Sequence, residues 1–273
     1  MKKLLLAVLI LSTTVINAQV KTRTLKKALE LEMARTEDDD YPGKYGGSVA
    51  WHPLQKKYYA AMAGNLNYPL CVFDATGKRL SEDEESTLID IRGLWYNPVQ
   101  KTIQGNGFDT VGWFSYKIDK NGIHAELESV MEGSHQPATN STGAFNPVTR
   151  KVLFLSVGEV YSYNIANGEQ DSRVTSIYWG KAVKPKGTPE EEGLTAEGYN
   201  YTTMVYTGIP KSEYGFLNEL ERQIELYDAK TGLLTQVLKL PDEAEAPESF
   251  NFAYANGIYW IFDMDTRVWL GYK

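Results

Sequence analysis

An aromatic residue followed by Asn or His recurs through the chain at Trp51-His52, Tyr96-Asn97, Phe145-Asn146 and Tyr199-Asn200, and in degraded form at Tyr254-Ala255-Asn256-Gly257. The aromatic positions step by 45, 49, 54 and 55 residues, and Pro follows in the first three copies as Pro53, Pro98 and Pro147. A second landmark falls later in the first four units, at Phe73-Asp74-Ala75-Thr76-Gly77, Ile118-Asp119-Lys120-Asn121-Gly122, Asn164-Ile165-Ala166-Asn167-Gly168 and Tyr227-Asp228-Ala229-Lys230-Thr231-Gly232. Asp or Asn opening a turn, with Gly where a positive φ is needed, is strand-turn-strand chemistry. Two landmarks in phase make a repeat architecture the first condition any fold must meet.

Between the landmarks the runs are short, alternating and rich in aromatic and β-branched residues, as in Lys57-Tyr58-Tyr59-Ala60-Ala61, Val152-Leu153-Phe154-Leu155 and Ile224-Glu225-Leu226-Tyr227. Each unit reads as strands a to d, with a ending at the aromatic-Asn-Pro turn and c at the Asp-x-x-x-Gly turn. Four-stranded units of about 40–50 residues specify an all-β, single β-propeller. Five blades are expected, or six if residues 172–200 hide a degenerate unit. The last unit has room for three strands, so residues 22–33, which have no partner of their own, are expected to complete it and hide its edge. The strand-c turns and the Trp51-His52-Pro53 and Tyr96-Asn97-Pro98 hairpins resemble the broad WD40-like and YVTN-like propeller group over residues 45–273. The Gly-His and Trp-Asp dipeptides of true WD40 repeats are missing, so that resemblance implies fold and not a signalling role. The chain also resembles uncharacterised secreted proteins of Gram-negative bacteria, which implies location alone.

Location has its own signal. Residues 1–18 read MKKLLLAVLILSTTVINA, two lysines before a short apolar run and a small residue at the end, the three-part form of a signal peptide cleaved near Ala18. The domain is then 19–273 and the protein secreted or periplasmic. The apolar run is too short to span a bilayer, and no later segment supplies a transmembrane run. Loss of the leader leaves 26 basic against 35 acidic residues, a net charge of −9. With Lys21, Arg23, Lys26 and Lys27 as the only basic cluster, no nucleic-acid partner is expected. Cys71 stands alone in an apolar run and is expected to pack as an inert thiol. A monomer is expected.

Acid clusters at Glu37-Asp38-Asp39-Asp40, Glu82-Asp83-Glu84-Glu85, Glu190-Glu191-Glu192 and Asp242-Glu243 with Glu245 and Glu248 fall in links from a d strand to the next a strand. The link before unit three carries His135 instead. These links share one face with the b–c loops, so that face should be negative and offer docking to a cationic partner. No cofactor is expected: Ca²⁺ is the metal such carboxylates would suit, but no Asp-x-Asp-x-Asp-Gly loop is present. The b–c loops there supply Asn67, Tyr68, Phe108 and Asp109, and a long loop over residues 207–221 supplies Tyr214, Phe216 and Asn218, amide and aromatic groups suited to a small molecule or sugar. Arg92 is the one charge at the start of an inner strand and is expected at the funnel mouth. The function expected is a non-enzymatic binding or protein-interaction module working through this acidic, loop-rich face. The alternative is a glycosidase- or lactonase-type hydrolase acting in the funnel, for which Asp90 is the only nearby acid and a carboxylate pair is missing. His52, His124 and His135 lack metal-ligand spacing, and no Gly-x-Ser-x-Gly signature is present.

Overall fold

The structure, a computed structural model, describes residues 20–35, 45–82, 87–123, 125–185 and 196–273. Two strands open it, β1 (Lys21–Thr24) and β2 (Lys27–Glu32). Blade one is β3 (Tyr45–His52), β4 (Lys57–Ala63) and β5 (Cys71–Asp74); blade two is β6 (Ile91–Asn97), β7 (Thr102–Gly107), β8 (Trp113–Ile118) and β9 (Ala125–Met131). Blade three is β10 (Ala144–Asn146), β11 (Lys151–Ser156), β12 (Glu159–Asn164) and β13 (Thr175–Ser176). Blade four is β14 (Val205–Tyr206), β15 (Tyr214–Asn218), β16 (Gln223–Tyr227) and β17 (Leu234–Lys239), and blade five is β18 (Phe252–Ala255), β19 (Ile258–Asp263) and β20 (Val268–Tyr272), with β2 outermost. The inner strands touch in the order β3, β6, β10, β14, β18 and back to β3, which closes the ring at five blades. Among the described residues, 172–185 and 196–200 add only the two-residue β13. No helix among the described residues is long and apolar enough to cross a membrane.

The N-terminal segment closes the ring in two places. β2 runs antiparallel to β20, with Leu31 opposite Trp269, as the unpaired strand required. The segment then departs from a single outer strand, because β1 pairs parallel with β17 and gives blade four a fifth strand. Blade one departs the other way: its d position is reduced to a bridge between Phe73 and Arg79.

Each hydrophobic cluster joins two consecutive blades. Blades five and one share Leu31, Val49, Tyr58, Tyr68, Trp260 and Trp269, for example, while blades four and five share Leu25, Leu217, Leu238, Phe252 and Tyr259. Both faces of a blade are therefore buried, and the strands carry apolar residues on both sides. The aromatic-Asn-Pro turns form because the Asn side chain organises the backbone beyond it: Asn97 Oδ1 accepts from Val99 N at 3.0 Å, and Asn146 Oδ1 accepts from Val148 N at 3.0 Å. His52 fills the same slot, with Nδ1 accepting from Gln55 N at 3.2 Å. The glycines of the Asp-x-x-x-Gly turns also let blades approach closely. A Cβ on Gly232 (φ +68°) would lie 2.2 Å from Ser176 O, on the outer strand of the preceding blade.

The fourth unit is phased differently from the sequence expectation. Its inner strand is β14, so Tyr206 takes the aromatic slot assigned to Tyr199. Tyr199 and Asn200 belong to the preceding link, where Asn200 Nδ2 donates to Pro247 O at 3.0 Å and Phe250 O at 2.9 Å. The expected b–c loop over 207–221 is instead the a–b hairpin, the whole of β15 and the start of a tight turn into β16.

Candidate functional site

Strand direction divides the molecule into two ends. The b–c hairpins and d–a links leave one end, here the link face, and the a–b hairpins and c–d turns leave the other, the turn face. On the link face the tops of the inner strands are tied to their neighbours by buried polar side chains. Asn106 Nδ2 donates to Gln136 Oε1 at 2.6 Å and to Ser141 O at 2.9 Å, and its Oδ1 accepts from Gly143 N at 3.0 Å. Thr203 Oγ1 donates to Thr142 Oγ1 at 3.3 Å, Phe250 N to Thr202 Oγ1 at 2.6 Å, and Gly46 N to Asn251 Oδ1 at 2.5 Å. These ties span the junctions of blades two and three, three and four, four and five, and five and one.

Arg92 stands at this end, at the start of inner strand β6, and not as a lone cation. Its guanidinium makes a two-point ion pair with Asp90, Nη1 to Oδ1 and Nη2 to Oδ2 at 3.0 Å. Asp90 Oδ1 also accepts from Gly64 N at 2.7 Å. The rings of Phe108 and Phe250 lie 4.8 and 5.3 Å from the guanidinium carbon, the second reaching in from the approach to blade five. Phe250 and Asn251 both have left-handed backbones, φ +47° and +54°, a costly turn for a Phe, and Phe250 also meets Tyr45 at 5.3 Å. Ion pair, ring contacts and burial together occupy the Arg92 guanidinium, so it is not an open anion site.

Below the polar ties the five inner strands enclose a cavity of about 330 Å³. Each blade contributes the aromatic of its inner hairpin, Trp51, Tyr96, Phe145, Tyr206 and Tyr254, and Trp95 and Phe252 add two more rings. Ser48, Leu94, Thr142, Gly143, Met204 and Phe252 are among the residues further in. No Asp, Glu, Lys, Arg or His is among the lining residues. Pro53, Pro147, Gly208 and Asn256, which also line it, belong to or adjoin a–b hairpins, so the cavity faces the turn face. That face carries tight turns, and the repeated aromatic is what walls the cavity there. The repeat itself carried this signal: the aromatic that marks each inner hairpin is also the ring around the channel. Burial raises the Tyr96, Tyr206 and Tyr254 phenols above their ordinary pKa, so all three stay protonated donors at neutral pH.

The residues singled out from the sequence do not gather in one place. Phe108 is half in solvent beside Arg92, and Asp109 opens a 3₁₀ turn with its N–H donating to Thr139 O at 3.1 Å. Asn67 is exposed in a turn capped by Asn65. Tyr68 is fully buried in the cluster between blades five and one. Tyr214, Phe216 and Asn218 are strand residues of β15, the first two in the core between blades three and four and the third donating to Glu225 Oε1 at 3.1 Å. His135 is partly buried, with Nδ1 3.1 Å from Gly168 O and Nε2 3.0 Å from Glu132 O, an interblade tie. His124 lies outside the described residues, as do Glu37 to Asp40, Asp83 to Glu85 and Glu190 to Glu192.

The described acid cluster lines a groove of about 740 Å³ on the link face, with Glu219, Arg222, Asp242, Glu243, Glu245, Glu248 and exposed Tyr201. Arg222 is tied by its guanidinium to Asp242 O at 2.5 Å and Ala244 O at 2.6 Å, which leaves the carboxylates to set the field. No group of three or more His, Cys, Asp and Glu residues among the described residues is placed to hold a metal ion.

No protein-family model matches the sequence. Among solved structures the chain is similar to the glutaminyl cyclase of Myxococcus xanthus, with a TM-score of 0.55 at 10% identity over 93% of this chain and 98% of that one. It is also similar to a chain of the nidogen–laminin complex, TM-score 0.41 at 11% identity over 75% and 66%, and to Raptor of Chaetomium thermophilum, TM-score 0.42 at 12% identity over 88% and 20%. At such identities a likeness speaks to fold alone, and the first agrees with the ring just described. The chain is a five-bladed β-propeller.

Proposed function

We propose that the protein is a non-enzymatic binding module whose working end is the mouth of the central channel on the turn face. The observation that carries this is the ring of Trp51, Tyr96, Phe145, Tyr206 and Tyr254 around an uncharged cavity. Aromatic walls with a few hydroxyl groups on a rigid scaffold are the ordinary makings of a small apolar site. Hydrolysis in the same cavity has less support, because general acid–base work needs titratable groups near the operating pH, and the lining offers only phenols with raised pKa values. The glutaminyl cyclase likeness keeps an enzyme as the second reading, with Asp90 the carboxylate nearest the start of an inner strand among the described residues. Residues 1–18 are taken as a leader for export, so the module works in the periplasm or outside the cell. Its partner is a protein or small molecule, and it needs no cofactor.

A thermal-shift screen of small molecules and peptides tests the proposal. Hits should lose their shift in Tyr206→Ala and Tyr254→Ala and keep it in Tyr201→Ala and Glu245→Gln. Hits that depend only on the second pair would move the site to the acidic groove. Turnover of a glycoside or lactone that disappears in Asp90→Asn would replace binding by catalysis.

A further inference from the structure

Around the channel mouth the a–b hairpins repeat a second pattern just past the aromatic. Leu54, Val99 and Val148 occupy equivalent positions in blades one to three and are 65, 63 and 83% exposed, and Ile209 is exposed in the hairpin of blade four. None of the four lines the channel. Two residues further on in each stand Lys56, Lys101, Arg150 and Lys211, all exposed. None of these four has a carboxylate partner among the described residues. Lys151 in the same hairpins is paired to Asp171 at 2.5 Å, and Glu213 of the blade-four hairpin accepts from Lys211 N and Ala229 N; the c–d turns of this face add Asp74, Asp119, Asp228 and Asp263, whose carboxylates accept from the backbone of their own turns. A basic ring without ion-pair partners among the described residues, on a chain of net charge −7, is not an echo of composition.

The face is thus built in zones: an aromatic-walled pocket at the centre, an apolar collar, and a basic margin. That is the anatomy of a protein interface, an apolar core inside a polar rim. A small molecule held in the channel would leave the collar in water, whereas a partner surface would cover it. We propose that the turn face docks an acidic polypeptide segment that places one apolar side chain in the channel mouth. The proposal rests on the reading of the channel as the working end, and adds the partner's chemistry: carboxylates to meet Lys56, Lys101, Arg150 and Lys211, and a Trp, Phe, Leu or Ile to meet the five aromatics.

The test is selection of random short peptides displayed on phage against the whole chain, followed by fluorescence anisotropy with the synthesised winners. Selected peptides should carry Asp or Glu on both sides of one large apolar residue. Their affinity should fall about tenfold or more in Trp51→Ala, as for a central anchor. It should fall comparably in the triple variant Lys56→Gln, Lys101→Gln, Arg150→Gln, whose exposed side chains leave folding alone, and weaken steeply with salt. Glu243→Gln with Glu245→Gln should leave it unchanged. Selection of basic or uncharged peptides, or of none, overturns the proposal. Small aromatic molecules such as indole that bind through Tyr206 and Tyr254 while no peptide does would sink the partner and leave the channel reading standing. Oligo-dT that competes through the same four cations would make the partner a nucleic acid. Peptides sensitive only to the Glu243 and Glu245 changes would overturn both.

Discussion

Glu225 is the most exposing test of how this core is held. It sits in the middle of β16, almost fully buried, and its carboxylate accepts from four side chains. Asn218 Nδ2 (3.1 Å) and Gln223 Nε2 (2.8 Å) donate to Oε1, and the Tyr199 (2.6 Å) and Tyr227 hydroxyls donate to Oε2. Tyr227 Oη in turn accepts from Gly180 N at 2.8 Å, so the cluster anchors the link that precedes β14. A single hydrogen bond to a charged group is worth about 1.5–3 kcal/mol, but the four cannot be summed, because removing the carboxylate also removes its own desolvation cost. What remains is the cost of buried donors without an acceptor, above all the two phenols, and Glu225→Ala should lose about 3–5 kcal/mol. Glu225→Gln keeps the shape and one oxygen, and should lose about 1–2 kcal/mol. Urea unfolding followed by tryptophan fluorescence measures both, since Trp179 packs 4.4 Å from Tyr199 and 4.8 Å from Phe216. Burial, and then the neighbouring carboxylate, push the Tyr199 and Tyr227 pKa values upward. In Glu225→Ala their alkaline titration should move down while burial still holds it above the ordinary value. A Glu225→Ala protein within 1 kcal/mol of the parent, with unmoved tyrosine titration, would refute the account.

Two further outcomes follow from the closure and from one turn. Leu25→Ala and Leu31→Ala should each cost about 3 kcal/mol, and because the two leucines lie in different interblade clusters the double variant should cost their sum; a total well short of it would mean the clusters are coupled. Burial lowers the His52 pKa below 6.5, and the neutral ring is fixed with Nδ1 accepting from Gln55 N and Nε2 facing Lys101 O at 3.0 Å. The unfolded chain binds the proton more readily, so this contribution is whole above about pH 6.5 and is lost as pH falls below it, at up to about 1.4 kcal/mol per pH unit. His52→Asn, which copies Asn97 and Asn146, should flatten that acid-side decline in urea midpoints, and an unchanged slope would assign the decline elsewhere.

The repeat was legible because its two turns depend on local chemistry: Asn97, Asn146, Asp74 and Asp228 organise their own turns through their own side chains. The phase of the fourth unit was not, because Tyr199-Asn200 copies the landmark while Asn200 spends its amide on Pro247 and Phe250, far along the chain. Glu225 was hidden for a related reason. Alternation in Ile224-Glu225-Leu226-Tyr227 suggests an outward Glu, but a blade has no outward face until its neighbours are counted. The channel aromatics were visible as punctuation and unreadable as a wall, since only ring closure brings five distant hairpins to one mouth. Arg92 was placed at the funnel by its position in the inner strand; its neutralisation by Asp90, two residues earlier, needed the geometry.

The double attachment of the N-terminal segment has a consequence for how the molecule is made. β2 cannot find its partner until β20, the last strand, has been synthesised, and β1 must wait for β17. Blades one to four can assemble in order from neighbours close in sequence, while the first strands remain unpaired with an open sheet edge at each side of the gap. Closure then joins segments from opposite ends of the chain, a step slowed by loop entropy rather than by any local preference. During that interval the unpaired edges of β20 and β17 are open to strands from other molecules, so aggregation during folding should be governed by the availability of residues 21–32 and relieved by supplying that segment as a separate peptide.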